Sequence, residues 1–593
     1  MRIFGSQNRN YMRLLSTILL ICFQISLIAQ GLPKGLTDEE RRDLEWYDFT
    51  ATQDFRGETT PPPVPVRTMA EWEEIQGLVV TWTQYRPTLA EIIRHAKEET
   101  TVYVITTNVS STMTSLIGTY GLPDLDNVEF IQADYNSIWM RDYGPNTVYY
   151  NDVDSLAAVE WIYNRPRPKD DVIPQAIADH IGFTLYSTTA APDDLVHTGG
   201  NFTADGLGTA FSSELVLEEN EPGNPYGVTV KSEADIDAIM QNWMGIDRYI
   251  KMPTLPYDGI HHIDMHMRLI DEETIMVGEY PAGVADGPQI EANLQYVLNN
   301  FNSPFGTPYK IVRIPMPPQN GAYPDTWWAD YRTYTNSVIV NKTVLVPTYE
   351  EQYDTTALRI YREAMPGYKV IGIDCNDIIQ ASGALHCITR AVGVDDPLWM
   401  VHQEHPDVTT DVASYSLTVS AKHRAGVDDV TLFYTYDTTA GFNSAPMWPN
   451  GDDTYTAVLD ATGEPGELFY YIHAFAENGK QQTRPLVGAD GPFRFEIGEV
   501  VSVKEIDRVA ALEEIFPNPA SAITCIPISF SAPTSGSLIV TDALGRTVET
   551  LFEGRFAPGE QKFFLEASGY APGVYLVQLR TEAGSVSQKL VVK

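Results

Sequence analysis

Four short polar stretches of the sequence carry side chains that could do chemistry together. The first is SIWMRDYGPN at residues 137–146, where Asp142 follows Trp139 and precedes a Gly-Pro turn. The second is HTGGNFTADGLGT at residues 197–209. Its adjacent glycines allow a close approach of the backbone, and it has neither the lysine nor the spacing of a phosphate-binding loop. The third is DGIHHIDMHMRLI at residues 258–270, and the fourth is SGALHCITR at residues 382–390.

The third stretch is typical of a strand on which alternate residues share a face. His262, Asp264 and His266 would then point in the same direction. Such a face could bind zinc, because histidine is the commonest metal ligand. A catalytic zinc usually has three protein ligands, however, and the chain has no H-E-x-x-H motif. The other interpretation is an acid–base histidine beside a carboxylate that grips a cation.

Cys387 in the fourth stretch has three interpretations: a nucleophile, half of a disulfide, or a small buried hydrophobic residue. The chain has four cysteines. Cys22 falls in a predicted signal peptide, so an odd number remains in the exported chain. Cys375 is close enough in sequence to be a disulfide partner, but it ends an apolar strand, where burial explains it. His386 would face away from Cys387 on a strand, so it is not the expected base.

A cysteine, a His-x-Asp pair and an isolated aspartate suit one reaction particularly well. Two carboxylates can grip a planar guanidinium with charge-assisted hydrogen bonds and hold its central carbon against a thiolate. The thiolate adds, a histidine protonates the departing ammonia, and the same histidine then activates water. Because a free cysteine has a pKa of about 8.5, a nearby cation must favour the thiolate, and either the substrate's own charge or a protonated histidine could do so.

The motifs WMRDYGP, GGN…DG, HxD and GxxHCxT, in this order, resemble the agmatine deiminase and bacterial peptidylarginine deiminase family. The resemblance implies a pentein fold, a five-bladed α/β propeller of ββαβ units, although no fivefold repeat is visible in the sequence. It makes Cys387 the nucleophile, His262 the general acid and base, and Asp142 and Asp264 the guanidinium clamps. Asn336, in YTNS, matches a family asparagine near the nucleophile; its other interpretation is a turn residue. No organic cofactor or metal is implied.

The segment YNRPRPKDD at residues 163–171 bears on the choice of substrate. Arg165 and Arg167 each precede a proline, which favours an extended backbone, and two fork-shaped cations so held could bind a carboxylate. Agmatine has no carboxylate. The segment is similar to that of Porphyromonas-type peptidylarginine deiminases, which implies binding of the α-carboxylate of a C-terminal arginine, with Trp139 in the substrate pocket. Alternatively it is a surface loop in which the arginines pair with Asp170 and Asp171.

One departure from that subfamily leaves the substrate open. Gly259 stands where the subfamily has a tyrosine that helps to hold the carboxylate, and His261 replaces an acid just before His262. Free arginine or another arginine derivative therefore remains an alternative to a C-terminal peptidyl arginine.

The elements that must position these residues alternate between helix and strand. LAEIIRHAKEET has helical spacing of its apolar residues, and TVYVITTN follows as a β-branched strand. The alternation continues to about residue 400, which predicts an α/β domain. Residues 401–498 show short alternating runs between turns and predict a β-sandwich of immunoglobulin or fibronectin type.

The two ends of the chain indicate export. Arg2, Arg9 and Arg13 precede a short apolar run and a signal-peptidase-like site, which predicts a cleaved signal peptide over 1–29. The C-terminal motifs FPNP, DALGR and GVYLV resemble the sorting domain of type IX secretion, which implies the type IX machinery as a partner and a secreted or cell-surface location. The alternative is an ordinary accessory β-domain. Between them we expect an arm or propeptide (30–68), the catalytic domain (69–400), the sandwich (401–498), a linker (499–511) and the sorting domain (512–593).

Composition excludes some classes of partner. The 593 residues are 43% hydrophobic and carry a net charge of −39, which argues against nucleic acid and anionic membranes as ligands. The sequence as a whole predicts a secreted deiminase that converts arginine, as the C-terminal residue of a peptide, to citrulline and ammonia through a covalent cysteine adduct. The alternatives are an agmatine deiminase and a non-catalytic binding protein or adhesin on the same fold.

Overall fold

The structure is a computed structural model of the chain. It describes residues 32–44, 46–49, 57–408, 412–462, 464–498, 510–513, 515–521, 523–542, 546–581 and 584–593. The predicted signal peptide and most of the predicted linker lie outside these residues. None of the helices in the described ranges is both long and apolar enough to cross a membrane.

The chain separates into two compact units. One comprises the described residues up to His405 together with 414–460 and 467–495, and the other comprises 406–413, 461–466 and 496–593. The first unit holds the α/β region and most of the strands that directly follow it, and the second holds the C-terminal strands.

The helices lie in the α/β region and the segment before it. They are α1 (Asp38–Asp43), α2 (Arg86–Ala96), α3 (Val109–Gly118), α4 (Met140–Tyr143), α5 (Ile173–Ile181), α6 (Leu215–Glu218), α7 (Glu233–Met244), α8 (Gly287–Asn300) and α9 (Glu351–Ala364). Short 3₁₀ turns form at Gly199–Asn201, Ile263–Met265, Ile379–Ala381 and His386–Ile388.

Among the residues that the structure describes, seventeen strands accompany these helices. They are β1 (Val66–Thr68), β2 (Ile75–Thr81), β3 (Thr101–Thr106), β4 (Val128–Gln132), β5 (Asn146–Tyr150), β6 (Leu156–Glu160), β7 (Thr184–Ser187), β8 (Thr203–Ala204), β9 (Thr209–Ser213), β10 (Arg248–Met252), β11 (Met267–Leu269), β12 (Thr274–Glu279), β13 (Lys310–Pro315), β14 (Val338–Val340), β15 (Thr343–Thr348), β16 (Lys369–Asp374) and β17 (Thr389–Gly393).

Within the described part of this region the strands form five sheets with the orders β1-β5-β6-β7, β10-β9-β8, β11-β12-β13, β14-β15-β16 and β17-β2-β3-β4. Each sheet contains an antiparallel pair followed, after a helix, by a strand parallel to the second member of the pair. The last strand of this region, β17, pairs with β2, which lies near the start of the region.

The local sequence explains these elements. In α2, a proline begins the helix and the residues Leu89, Ile92, Ile93 and Ala96 are fully buried on one face. Strands β2 and β3 carry continuous apolar runs rather than alternating ones, as expected for strands in parallel sheets buried on both sides. The predicted helix in LAEIIRHAKEET and the predicted strand in TVYVITTN are thus confirmed.

In the described part of the chain after the α/β region, up to residue 498, the strands are β18 (Trp399–Val401), β19 (Ser414–Lys422), β20 (Val427–Thr435), β21 (Asn443–Pro446), β22 (Trp448–Pro449), β23 (Thr454–Asp460), β24 (Gly466–Ala476), β25 (Gln481–Arg484) and β26 (Phe493–Ile497). They form one sheet of order β18-β19-β23-β22 and another of order β21-β20-β24-β25, in which β26 pairs with β24. Alternate residues of β19 and β24 are buried, which matches the period of a strand with one face on a core.

The C-terminal strands are β27 (Ala510–Leu512), β28 (Ile523–Phe530), β29 (Thr534–Asp542), β30 (Thr547–Phe556), β31 (Gly559–Glu566), β32 (Gly573–Thr581) and β33 (Gly584–Val592). They form sheets of order β27-β28-β31 and β30-β29-β32-β33 around their own apolar core. Strand β27 lies at the end of the predicted linker and pairs with β28.

Candidate active site

Each of the five sheets brings one polar residue to a common region, just before its first antiparallel strand. Asp142 lies on α4, which precedes β5, and Thr198 precedes the turn before β8. His262 precedes the turn before β11, Asn336 lies two residues before β14, and Cys387 lies in the turn before β17. All five side chains are buried. The shared topology therefore positions residues that are far apart in sequence.

Asn336 fixes the turn that carries Cys387. Its Oδ1 accepts hydrogen bonds from the backbone amides of His386 at 3.0 Å and Cys387 at 3.3 Å. Its Nδ2 donates to Cys387 Sγ at 3.1 Å. Burial, followed by the charge of Asp264, raises the pKa of Cys387 to about 12. The sulfur is thus held in one place by an amide that donates to it, and burial favours its thiol form.

Two buried carboxylates flank the sulfur. Asp264 Oδ2 lies 3.6 Å from Cys387 Sγ, and Asp142 Oδ1 accepts a hydrogen bond from the Gly200 amide at 3.2 Å. Burial raises the pKa of Asp142 above its ordinary value. Burial acts in the same direction on Asp264, but the charges of Lys34 and His386 outweigh it and hold the pKa of Asp264 below its ordinary value. Two buried carboxylates at one sulfur form a site for a cation.

The cation in this site is Lys34, which comes from the N-terminal segment. Its Nζ lies 2.8 Å from Cys387 Sγ and 3.9 Å from Asp142 Oδ1, and the side chain is fully buried. Burial alone would lower the pKa of Lys34, but the charges of Asp142 and Asp264 raise it above its ordinary value. The buried ammonium therefore stays charged, balanced by the two carboxylates.

His262 stands on the other side of Asp142. Its Nδ1 lies 3.5 Å from Asp142 Oδ1, and its Nε2 is 3.0 Å from Thr198 Oγ1. Burial and the charge of Lys34 hold the pKa of His262 well below its ordinary value, so the imidazole is neutral. A neutral imidazole beside the cation site can accept and return a proton.

Gly200 provides the room for this arrangement. A Cβ added at Gly200 would lie 2.5 Å from His262 Nδ1, 2.9 Å from Asp142 Oδ1 and 3.1 Å from Lys34 Nζ. No side chain fits there, which confirms that the glycine pair allows a close backbone approach.

Glu71 connects His386 to two buried arginines beside the site. The sequence did not identify it as a site residue. It accepts hydrogen bonds from Arg141 at 2.9 Å and Arg268 at 3.1 Å, and its Oε1 lies 2.6 Å from His386 Nε2. Burial would raise the pKa of Glu71, but its contacts with His386 and with the guanidinium groups of Arg141 and Arg268 hold it well below its ordinary value. His386 in turn places Nδ1 2.8 Å from Asp264 Oδ2, so Glu71 orients Asp264 through His386.

The strand predictions for the third and fourth stretches were wrong. Residues 263–265 and 386–388 are 3₁₀ turns. His386 does not face away from the site, because the turn directs it to Asp264. His262 and Asp264 do reach the site, but His266 does not share a strand face with them, and burial lowers its pKa to about 4.

The zinc and disulfide interpretations are not supported. Among the described residues, no group of three histidine, cysteine, aspartate or glutamate side chains could hold a metal ion. Cys375, Cys387 and Cys525 are free and buried. Cys375 therefore is a buried, unpaired residue, as its position at the end of β16 predicted.

The arginines of the RPRP segment both lie against the N-terminal segment. Arg165 and Arg167 are 8% and 1% exposed, so the interpretation as a surface loop was wrong. Arg165 Nε donates to the carbonyl of Lys34 at 2.9 Å. Arg167 holds the Glu40 carboxylate, with Nε 2.7 Å from Oε1 and Nη2 3.3 Å from Oε2.

Trp139, the other residue predicted to contact substrate, forms a wall of the site. Its indole Nε1 donates to the carbonyl of Leu32 at 2.9 Å, and its ring centroid lies 6.0 Å from Lys34 Nζ. Gly383 lies close to both this ring and the cysteine. A Cβ added there would lie 2.5 Å from Trp139 Cζ3 and 3.1 Å from Cys387 Sγ, so a larger residue would clash.

Comparison with known families agrees with this geometry. The sequence model of the Porphyromonas-type peptidyl-arginine deiminase family matches residues 67–392, more than half of the chain. That of the secretion system C-terminal sorting domain matches residues 514–593. The tail therefore marks the chain for export to the cell surface or the medium.

Individual relatives carry related names. A Vibrio parahaemolyticus protein named as an agmatine deiminase is 27% identical over 295 residues, covering 45% of this chain and 78% of its own. A solved structure also named as an agmatine deiminase has a TM-score of 0.50 at 19% identity, covering 57% of this chain and 99% of its own. A solved structure from Porphyromonas gingivalis, named as an arginine deiminase, has a TM-score of 0.48 at 23% identity. The match covers 55% of this chain and 98% of the other.

Proposed function

We propose that this chain, which belongs to the Porphyromonas-type peptidyl-arginine deiminase family, hydrolyses the guanidinium of an arginine that carries a free carboxylate. The products are citrulline and ammonia. The position of Lys34 Nζ carries the proposal. Counted along the side chain from Cα, this nitrogen occupies the place of the guanidinium carbon of arginine, and it lies 2.8 Å from Cys387 Sγ. An arginine bound in the same way would present its reactive carbon to the sulfur.

The surroundings of that atom suit a guanidinium better than an ammonium. Asp142 Oδ1 lies 3.9 Å from Lys34 Nζ, the charge of Asp264 also acts on this ammonium, and Asp264 Oδ1 has no hydrogen-bond partner although it is buried. A guanidinium has five N–H donors and could bind both carboxylates, including this free oxygen. The substrate's charge would also stabilise the Cys387 thiolate, which burial otherwise disfavours.

The proposed reaction proceeds in two steps. The sulfur of Cys387 bonds to the guanidinium carbon as the thiol loses its proton, and a C–N bond breaks. Ammonia departs with that proton, which His262 is placed to deliver, and a positively charged thiouronium adduct remains. In the second step water bonds to the same carbon, and His262 takes its proton. The C–S bond then breaks to regenerate the thiol, and the remaining proton converts ammonia to ammonium.

The two arginines support a substrate with a carboxylate. Arg165 donates to the backbone carbonyl of the residue whose side chain fills the site, and Arg167 already grips a carboxylate, that of Glu40. A C-terminal arginine would place its α-carboxylate within this pair. Agmatine hydrolysis is the second candidate, favoured by the names of the relatives, but agmatine has no carboxylate for the two buried arginines to bind.

We also infer that the five sheets of the α/β region are the blades of a propeller, with the site where their first strands begin. The boundaries proposed from the sequence stay as stated: a catalytic domain over 69–400, a β-sandwich over 401–498 and a sorting domain over 512–593. A purely binding role is less well supported, because the cysteine, histidine and both aspartates are present and close together.

The proposal is tested with the Lys34→Ala chain, in which the cation position is empty. Ammonia and citrulline-type products are measured with a C-terminal-arginine peptide, an internal-arginine peptide, free arginine and agmatine. We expect the highest kcat/KM for the C-terminal-arginine peptide. The further substitution Cys387→Ala should abolish turnover, while Cys375→Ala, at another buried free cysteine, should retain it. Turnover that survives loss of Cys387 contradicts the proposal.

A further inference from the structure

The N-terminal segment, residues 32–49 as far as the structure describes them, binds in the site as a peptide ligand would. Lys34 inserts its side chain, and its backbone N–H donates to the carbonyl of Ala381 at 3.0 Å. One wall of the site holds the preceding part of the segment, because Trp139 Nε1 donates to the carbonyl of Leu32. The segment is therefore fixed on both sides of the inserted side chain.

A short helix gives the segment a second attachment. Thr37 caps α1 in a capping box with Glu40, since each side chain bonds the backbone N–H of the other. The same Glu40 carboxylate receives the hydrogen bonds of Arg167, which lowers the pKa of Glu40 against the effect of burial. Arg167 Nη2 also donates to the carbonyl of Pro33 at 2.8 Å.

An apolar contact attaches the end of the segment. Phe49 is 2% exposed and packs against Ile162, Val196, Tyr226 and Val228. Its ring meets that of Tyr226 edge to face, with centroids 5.0 Å apart. Burial of such a side chain fastens the segment independently of the charges at Lys34 and Glu40.

The segment thus presents the two charges of a C-terminal arginine, a cation at Cys387 and a carboxylate at Arg167. It lacks only the electrophile, because lysine has no guanidinium carbon for the sulfur to attack. We propose that the N-terminal segment is a tethered pseudosubstrate, which occupies the site of the full-length chain and must leave before a substrate can bind. This inference rests on the proposed function, in which the site binds and hydrolyses an arginine.

Tethering makes such an inhibitor effective even if its contacts are individually modest. A covalently linked ligand acts at an effective concentration set by its linker. The rate with an external substrate is then proportional to the fraction of molecules in which the segment has left. A change that weakens the segment without touching the catalytic residues should therefore increase the measured rate.

The first test compares kcat/KM for a C-terminal-arginine peptide in the wild-type chain, Lys34→Ala and Arg42→Ala. Arg42 is the matched control, a solvent-exposed cation of the same segment. We expect Lys34→Ala to be about tenfold faster or more, since the rate follows the open fraction, and Arg42→Ala to equal the wild type. Equal rates for the wild type and Lys34→Ala would overturn the inference.

The second test does not depend on catalysis. A lysine-specific endoproteinase is applied briefly, and cleavage of the Lys34–Gly35 bond is followed by mass spectrometry in the wild type, Glu40→Gln and Glu39→Gln. Buried Lys34 should resist cleavage in the wild type and in Glu39→Gln, whose altered side chain is exposed. Glu40→Gln should be cut about tenfold faster, because cleavage follows the population of the open form.

The outcomes separate the two proposals. If Lys34 is protected in the wild type but no guanidine compound is hydrolysed by Lys34→Ala, the segment occupies the site and the proposed function fails. If Lys34→Ala hydrolyses a guanidine compound while the wild type and Glu40→Gln are cut equally fast, the function stands and the pseudosubstrate is overturned.

Discussion

Arg165 should discriminate between substrates by their carboxylate. It is 8% exposed, and its Nε donates to the Lys34 carbonyl at 2.9 Å. In a bound C-terminal arginine an α-carboxylate oxygen would take the place of this carbonyl. Replacement of Arg165 by alanine should therefore weaken the transition-state complex of arginine substrates, whereas agmatine has no carboxylate to lose contact with.

The size of the effect follows from the type of bond. A buried hydrogen bond to a charged group contributes about 1.5–3 kcal/mol, and about 1.4 kcal/mol corresponds to a factor of ten. In the Lys34→Ala background, Arg165→Ala should therefore lower kcat/KM for a C-terminal-arginine peptide by about 10- to 150-fold relative to agmatine. The ratio is the relevant quantity, because the charge of Arg165 also acts on Asp142 and His262.

The assay measures ammonia release over a range of concentrations of both substrates. Arg165→Lys should recover part of the loss, since it keeps the charge but not the fork-shaped donor. Lys169→Ala removes an exposed cation of the same stretch and should leave the ratio unchanged. An equal fall in kcat/KM for both substrates would show that Arg165 does not bind the substrate carboxylate and only supports the structure of the site.

Three further predictions concern the same site. Gly200→Ala should lower kcat by about 100-fold, because a displacement of catalytic groups by about 1 Å has a cost of this size. Gly259→Ala is the control and should have no effect, since a Cβ added there meets nothing within 4 Å. Steady-state kinetics and thermal unfolding of both variants test this prediction. Glu71→Gln should lower the free energy of unfolding by about 3 kcal/mol at pH 7, because it leaves buried cations unpaired. Since the pKa of Glu71 is lower in the folded chain, its contribution is present above the ordinary glutamate pKa of about 4.3 and is lost as the pH falls further, so denaturation curves of the two proteins should converge in acid. Finally, 2-chloroacetamidine, an alkylating agent with a planar cation, should label Cys387 faster than its neutral analogue chloroacetamide in Lys34→Ala; equal labelling rates by mass spectrometry would argue against a cation site.

The residues of the site could largely be predicted from the sequence, and their local conformation could not. Motifs placed Asp142, His262, Asp264 and Cys387 in one reaction because their types suit a guanidinium. The turn that contains Cys387 looks like a strand from its neighbours alone. It is a 3₁₀ turn because Asn336, 51 residues earlier, accepts the backbone amides of the turn. Such a contact has no local signal.

The helices and buried strands were predictable for the opposite reason. In α2 and β3 the apolar residues recur with a period set by the backbone itself. Lys34 shows most clearly what could not be predicted from the sequence. It lies in a polar stretch that looked like an arm, and nothing in its spacing links it to Cys387, 353 residues away. Glu71, one of three acids in AEWEE, likewise has no feature that separates it from its neighbours.

The most direct test of the central claim is the mass of the N-terminal peptide of the Lys34→Arg chain. This substitution places a guanidinium carbon where Lys34 Nζ lies, 2.8 Å from Cys387 Sγ. If the segment presents this side chain to Cys387, the arginine at position 34 is converted to citrulline with release of ammonia. The added substitution Cys387→Ala should prevent this conversion. An arginine that stays intact at position 34, in a chain whose Lys34→Ala form hydrolyses free guanidine substrates, would contradict the claim that this segment presents its side chain to the catalytic sulfur.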